Sequence, residues 1–330
     1  MLINQTNKER FCKLCNENKS IPLFMQSWWM DAVCNYKDWD VLIYEKNNKI
    51  LGVLVFYYVK KLGFRIILQP QLTQYNGIWI DYPQNQTTKQ KLSFDKLIMS
   101  EIIRQLDSMK FSFFQQNFHY SITNWQPFYW FGFNQTTRYT YKLKNINNID
   151  DVFDNFHFGK QKHIKKAQRN LQVDFDIEPI EFFNFHCNSL KTKNKSVFYS
   201  EDFFLHLYES VMKREQGKII AIRDDQRNIH SAIFTVWDSK SAYYLISAVD
   251  PKYKSSGASS LMVWEALVFL SDKTQEFDFE GSMIEGVAKA NEEFGAEQIP
   301  YFMIYKINPI IETFLNFRQR FFLTKNERVN

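Results

Sequence analysis

SAYYLISAVDPKYKSSGASSL, residues 241–261, decides the reading of this chain. Tyr243, Tyr244, Leu245, Ile246 and Val249 give a strand of aromatic and branched residues. Lys254, Ser255, Ser256, Gly257, Ala258 and Ser259 then turn the chain, and Leu261, Met262, Trp264, Glu265, Ala266 and Leu267 read as a helix. Small residues at such a turn leave main-chain N–H groups uncovered at the positive end of the helix, where an anion can sit. The stretch from Lys254 to Ser259 is therefore a candidate phosphate seat.

The chain around it has 330 residues, enough for two domains with proper cores, and its 45% apolar and 23% charged content is ordinary for a globular protein. Aromatic content of 17%, with 32 Phe against 10 Gly, favours sheet-rich packing. No apolar run reaches the ~18 residues of a spanning helix, and the N-terminus lacks an apolar signal core, so a cytoplasmic protein without a membrane span is expected. Four cysteines make no disulfide framework, and Cys12 with Cys15 has no second ligand pair at zinc-site spacing, so no metal is expected. The net charge of +5 is too small, by itself, to point to a nucleic-acid binder.

In chain order, residues 1–20 read as a polar arm, and residues 22–35 as a short helix opening at Ser27. Two apolar runs from Trp39 onward, joined by Lys46-Asn47-Asn48-Lys49, read as a hairpin; a third run follows Gly63, and Gly77–Ile80 is a further strand. Lys91–Met109 has helical spacing, and strands follow at Phe111–Phe114 and Tyr139–Leu143. The second half repeats the order, with a hairpin around residues 224–228, the strand–turn–helix quoted above, a strand at Phe277–Phe279 and a closing strand at Tyr301–Ile307. The two endings overlay: FGFNQTTRYTYKL at 131–143 and FGAEQIPYFMIYKI at 294–307. Two copies of one unit account for this, with domains expected at residues 1–150 and 151–330.

The spacing of Lys254, Gly257 and Ser259 resembles the pyrophosphate loop of GNAT acyltransferases, which has Arg or Gln in place of Lys254 and a smaller residue in place of Ser259. Two such units in tandem, with Phe277–Gly281 and then Phe294-Gly295 in the second, resemble the FemABX and BioF2-like (CelD-like) acyltransferases. The segment Lys162–Ala167 is similar to the basic segment that precedes the second FemABX domain. The resemblance implies an α/β fold of mixed α+β sheets: two tandem GNAT-like units, each a mixed, mostly antiparallel sheet flanked by helices. It implies an N-acyltransferase that takes acyl-CoA (acetyl-CoA) as donor in the second unit and a small-molecule or nucleotide-linked amine as acceptor in the groove between units. Two alternatives stand beside it: a FemABX-type aminoacyltransferase using aminoacyl-tRNA on a peptidoglycan precursor, and a non-catalytic binding protein on the same fold. FemABX peptidoglycan enzymes carry a Phe-Lys pair before the Phe-Gly; here the stretch is Ala290-Asn291-Glu292-Glu293 with Lys289 beside it, a departure that favours acyl-CoA.

Acyl transfer from a thioester to an amine needs a proton acceptor, N–H donors and positioning. For the acceptor, Glu280 and Asp278 lie two apart, on one face of a strand that ends at Gly281, and each raises the other's pKa. Glu280, at the strand end, is the favoured base, and Tyr244 and Tyr301 are candidate acids for the departing thiolate. Ile246 and Ala248, on the strand before the phosphate seat, are expected to pair with the pantetheine arm. Between Lys160 and Lys195 there are eight Lys or Arg and four acids, the acids clustered apart; Lys162, Lys165, Lys166 and Arg169 form a basic stripe suited to phosphate groups of acceptor or donor. In the first unit no small-residue loop occurs, so that unit is expected to bind no CoA and to shape the acceptor pocket, with Tyr75 as a candidate substrate-binding residue.

Overall fold

Contacts divide the described residues into two compact units, residues 5–137 with 301–308, and residues 138–300. The structure, a computed structural model, describes residues 5–34, 37–61, 63–281 and 283–308.

The first unit opens with helix α1 (Asn7–Glu17), where the sequence reads as an arm. Two local signals make it a helix: Thr6 and Glu9 form a reciprocal capping box, and Phe11 and Cys15, four apart, bury one face. Burial pushes the Cys15 thiol up to about 12, so it acts as a small apolar side chain. After α2 (Ser27–Val33) come β1 (Trp39–Lys46) and β2 (Lys49–Lys61), an antiparallel hairpin. Its two turn residues, Asn47 and Asn48, both have positive φ, the geometry that matches strand twist in a two-residue loop. β3 (Phe64–Leu68) and β4 (Gly77–Ile80) each pair with β2. The long helix α3 (Thr88–Ser108) packs on β1 and β2 so closely that a Cβ at Gly52 would stand 2.4 Å from Ile98. β5 (Phe113–Asn117), which the short helix α4 (Gln126–Trp130) follows, runs parallel to β3 and antiparallel to the Met303–Ile307 part of β12 (Glu297–Ile307). Leu54, Phe56, Ile78, Ile102, Phe114, Phe118 and Ile304 fill the core.

The second unit takes up the chain within β6 (Asn134–Leu143) and adds α5 (Ile149–Asp154), α6 (Phe158–Ala167) and β7 (Gln172–Asp174). Then come α7 (Pro179–Lys191), α8 (Glu201–Met212), β8 (Gly217–Arg223), β9 (Ile229–Trp237) and β10 (Ser241–Val249). Helix α9 (Ala258–Leu270), β11 (Glu276–Asp278) and α10 (Glu285–Glu292) follow. Its strands order as β6-β11-β10-β9-β8-β7, antiparallel except for the β10–β11 pair. α9 buries Leu261, Met262, Ala266, Leu267 and Leu270 and packs on β8, β9 and α6, while α7 lies on β10. Each unit thus has a mixed, mostly antiparallel sheet flanked by helices, as the sequence leads one to expect.

Candidate functional site

The turn before α9 is built by its own main chain and the short side chains of Asp250 and Ser256. Asp250 takes the Lys252 N–H at 2.9 Å, Ser256 N–H reaches Tyr253 O at 3.0 Å, and Ser256 Oγ takes the Ala258 N–H at 3.2 Å. Gly257 is the N-cap residue of α9, with φ +84 and no side-chain cap. Its carbonyl receives the N–H groups of Ser260 and Leu261, both at 3.1 Å. Among the described residues the N–H groups of Gly257 and Ser259 meet no acceptor, which is the arrangement that receives an anion at a helix start. Lys254, Ser255 and Ser259 are exposed, Ser256 is half-buried, and Gly257 and Ala258 are buried. A glycine is required at 257 on two counts: its left-handed φ, and a virtual Cβ only 2.6 Å from the His163 carbonyl oxygen of α6. The same contact brings Lys166 to the turn, its Nζ 3.5 Å from the Ser255 carbonyl.

In the first unit the start of α3 is closed instead. Thr87 and Gln90 cap it reciprocally, side chain to main chain in both directions.

Beside the seat the sheet opens. β10 and β11 pair only from Ser241↔Glu276 to Tyr243↔Asp278, and β10 then runs on to Val249 after β11 has ended. A bulge in β10 between Tyr243 and Ile246 shifts its register on β9 by one residue. Below the bulge Asp238 N–H bonds Ser241 O, and above it Asp250 N–H bonds His230 O. Counting in twos along the antiparallel ladder, Ser241 and Tyr243 turn their main chain to β9 before the bulge, and Ile246 and Ala248 after it. Ile246 and Ala248, assigned to the open edge from the sequence, therefore spend their main-chain groups on β9. The edge residues are Ser247 and Val249, which the sequence reading missed. α7 reaches two of their groups: Ser189 Oγ donates to Val249 O at 2.8 Å, and His186 lies against the Ser247 main chain, its pKa lowered chiefly by burial.

At the mouth of this opening stands the pair of acids. The sequence places Asp278 and Glu280 on one strand face, but β11 ends at Asp278, and Glu280 and Gly281 both turn left-handed, with φ +58 and +68. The chain there is pressed on β6, where a Cβ at Gly281 would come within 2.3 Å of Tyr139 O. Asp278 is fully buried and accepts from Thr140 Oγ1 and from the Glu280 N–H at 2.8 Å. Glu280 carries a buried Oε1 that meets no hydrogen-bond donor. Burial, and then the charge of Asp278, hold its carboxyl well above the usual carboxylate range. Glu280 is thus a half-buried acid with a bare oxygen, a left-handed backbone and a raised pKa, and it caps no helix among the described residues.

Tyr244 lies on β10 just past the last β11 pair, its ring 6.3 Å from Phe277 and 6.0 Å from Phe279. Burial raises its pKa and Ser247 partly offsets this, so it stays a neutral O–H donor. In the first unit Tyr75 is fully buried among His119, Tyr120 and Tyr301, with centroids 5.2–5.6 Å apart, and it packs a wall instead of facing a ligand. Tyr301 O–H accepts from Gln74 Nε2 at 3.3 Å. Lys162, Lys165, Lys166 and Arg169 line one open groove along α6, together with Phe158 and Gln161. Among the described residues no group of three or more His, Cys, Asp or Glu could hold a metal ion, and no helix is long and apolar enough to cross a membrane.

Residues 162–292, which span α6, the seat and Glu280, match the family model of the acetyltransferase (GNAT) domain. In fold the chain is similar to the crystal structure of FemX, with a TM-score of 0.68 and 11% identity over 90% of this chain and 96% of that one. It is similar also to L-PGS from Bacillus licheniformis, with a TM-score of 0.54 and 12% identity over 93% and 95% of the two chains. A third likeness is to the C-terminal domain of a putative lysylphosphatidylglycerol synthetase from Agrobacterium fabrum, with a TM-score of 0.56 and 9% identity over 94% of each. At these identities the likeness is one of fold. No curated protein matches the chain. The resemblance read from the sequence is borne out to this extent: residues 162–292 match the acetyltransferase (GNAT) domain, and the chain shares the fold of FemX.

Proposed function

We propose that this protein is an N-acyltransferase that moves an acyl group from acyl-CoA to an amine in its second unit. The observation that carries the reading is the opening between β10 and β11, with an uncapped helix start at its upper end and the bare Glu280 carboxyl at its mouth. The donor's diphosphate sits on the N–H groups of Gly257 and Ser259, with Lys254 and Lys166 as neighbouring cations. The pantetheine arm runs along β10 as an added strand, pairing with the amides of Ser247 and Val249. That brings the thioester toward Tyr244 and Glu280.

The chemistry is then addition and collapse. Glu280, ionised, takes a proton from the acceptor ammonium or from the nitrogen as it attacks. The new C–N bond forms at the thioester carbonyl, the C–S bond breaks, and the departing sulfur takes a proton, with the Tyr244 O–H as hydrogen-bond donor. The raised pKa of Glu280 suits this, since a proton acceptor works best when its affinity for the proton is close to that of the medium. The first unit, with α3 closed by its own capping box, is left to the acceptor side.

Ser259→Glu tests the seat. Ser259 is exposed in the first turn of α9, where a carboxylate is favourable to the helix itself. At ~5 Å from a phosphate and an effective dielectric of about 20, the added charge repels it by ~3 kcal/mol before salt screening. Affinity for acetyl-CoA should fall at least tenfold with the melting temperature kept or raised; unchanged affinity removes the seat.

A second reading, transfer from aminoacyl-tRNA, draws on the unpaired cations of α6 and predicts stabilisation by bulk tRNA and none by CoA.

A further inference from the structure

The groove along α6 is lined by Phe158, Gln161, Lys162, Lys165, Lys166 and Arg169, spaced by three and one so that all share one stripe of the helix, and its volume is about 460 Å³. Opposite this stripe Ile164 and Ala167 are buried, which fixes the stripe toward solvent. Two features of the groove leave it open to a ligand. Phe158 is 74% exposed, although its neighbour Phe156 is buried in the core. Lys162, Lys165 and Arg169 make no ion pair among the described residues, whereas Lys160, one step off the stripe, turns to Glu293 at 3.4 Å and lies over the Phe294 ring. Gln161 is pinned, its Nε2 donating to the carbonyls of Phe153 and Phe156 at 3.0 and 3.3 Å, so the groove has a fixed floor. At its far end Lys166 meets the Ser255 carbonyl, which makes the groove continuous with the turn before α9.

A flat exposed ring next to three exposed cations without an ion pair, one of which, Lys165, lies 5.5 Å over the Phe153 ring, is complementary to a base that carries phosphate. Stacking covers the ring, and the phosphate neutralises the cations. From Phe158 to Lys166 the helix rises by about 12 Å, so a base on Phe158 and a diphosphate beyond Lys166 are spaced along one axis. We propose that this groove binds the 3′-phosphoadenosine of the donor, with adenine on Phe158 and the 3′-phosphate on Lys162, Lys165 and Arg169. The inference rests on the acyl-CoA reading, and it adds a nucleotide subsite on α6 to that reading.

The test titrates the full-length protein with CoA, dephospho-CoA, 3′,5′-ADP and bulk tRNA. The wild type should prefer CoA to dephospho-CoA. Phe158→Ala should weaken CoA and 3′,5′-ADP by about 5- to 100-fold, the range of one base stack, and Phe158→Trp should restore both. The double variant Lys162→Glu, Lys165→Glu should abolish the preference for CoA over dephospho-CoA. All three positions are solvent-facing, and circular dichroism checks that each variant is folded. Equal affinity for CoA in wild type and Phe158→Ala, no preference for the 3′-phosphate, or losses confined to tRNA would each overturn the proposal. Ser259→Glu separates it from the reading beneath: CoA weakened more than 3′,5′-ADP, which keeps only one of the two diphosphate groups, upholds both, while 3′,5′-ADP binding without any CoA binding upholds the α6 subsite alone.

Discussion

Replacing Glu280 by Gln and, separately, by Gly measures what its position costs the fold and what it gives the reaction. Two terms are stored there. The left-handed backbone, φ +58 on a residue with a Cβ, costs about 1–2 kcal/mol. The buried carboxyl, with Asp278 beside it, costs 1.36 kcal/mol for every unit by which its pKa is lifted, at pH values above the lifted pKa. The sign follows from the direction of the shift. A carboxyl whose folded pKa lies above its unfolded one is no burden below the unfolded value of about 4.3, and the burden grows as pH rises from there through the folded pKa. Glu280→Gln keeps the backbone strain and removes the charge, so it should melt with the wild type near pH 4 and above it at pH 8. Glu280→Gly removes both terms, at the cost of about 0.5–1 kcal/mol from a freer unfolded chain, and should be more stable than the wild type even near pH 4. Turnover should fall about 10²- to 10⁴-fold in both, with little change in donor affinity. Calorimetry from pH 4 to 8 with initial rates on the same samples reads all of this. A Gln variant with no stability gain between pH 4 and 8, or with full activity, would refute the reasoning.

Gly257→Ala meets the His163 carbonyl and a forbidden φ together; a loss of about 2–3 kcal/mol is expected, seen as a fall of roughly 4–12 °C in the melting temperature of a unit this size, with donor binding lost as α6 moves away. Lys142, 2% exposed, holds Glu276 at 2.6 Å, so Lys142→Ala leaves this half-buried carboxylate with the Ser241 hydroxyl and should cost about 1–3 kcal/mol in urea unfolding. The rate at low donor concentration should rise with pH through an apparent pKa above the ordinary carboxylate range, a value that belongs to the Asp278–Glu280 pair, and this limb should vanish in Glu280→Gln.

What the sequence discloses and what it hides divide along physical lines. The seat is legible because Gly257 and its small neighbours are a local signal, and the hairpin because Asn47 and Asn48 can both take positive φ. Helix α1 is hidden by its polarity: only the capping box and the Phe11–Cys15 spacing mark it, and its buried face is narrow. The open edge is misread by one residue because an unbulged β10 would point Ile246 and Ala248 outward, and the bulge at Tyr244–Leu245 inverts the alternation; no residue in that run announces a bulge. The geometry of Glu280 is hidden: Gly281 signals a turn, but the sequence does not show that Glu280 before it is left-handed as well and lies beyond the end of β11. His186 and Ser189 reach the edge from about sixty residues away, through packing of α7 on β10 that periodicity does not encode. The exposure of Phe158 is likewise tertiary, since its neighbour Phe156 is core.

The central claim is tested most directly by a crystal structure of the protein soaked with CoA. The diphosphate should lie within hydrogen-bond distance of the Gly257 and Ser259 amide nitrogens, with the pantetheine arm alongside Ser247 and Val249. A diphosphate bound elsewhere, or a β10–β11 opening into which no ligand enters at saturating CoA, would contradict it.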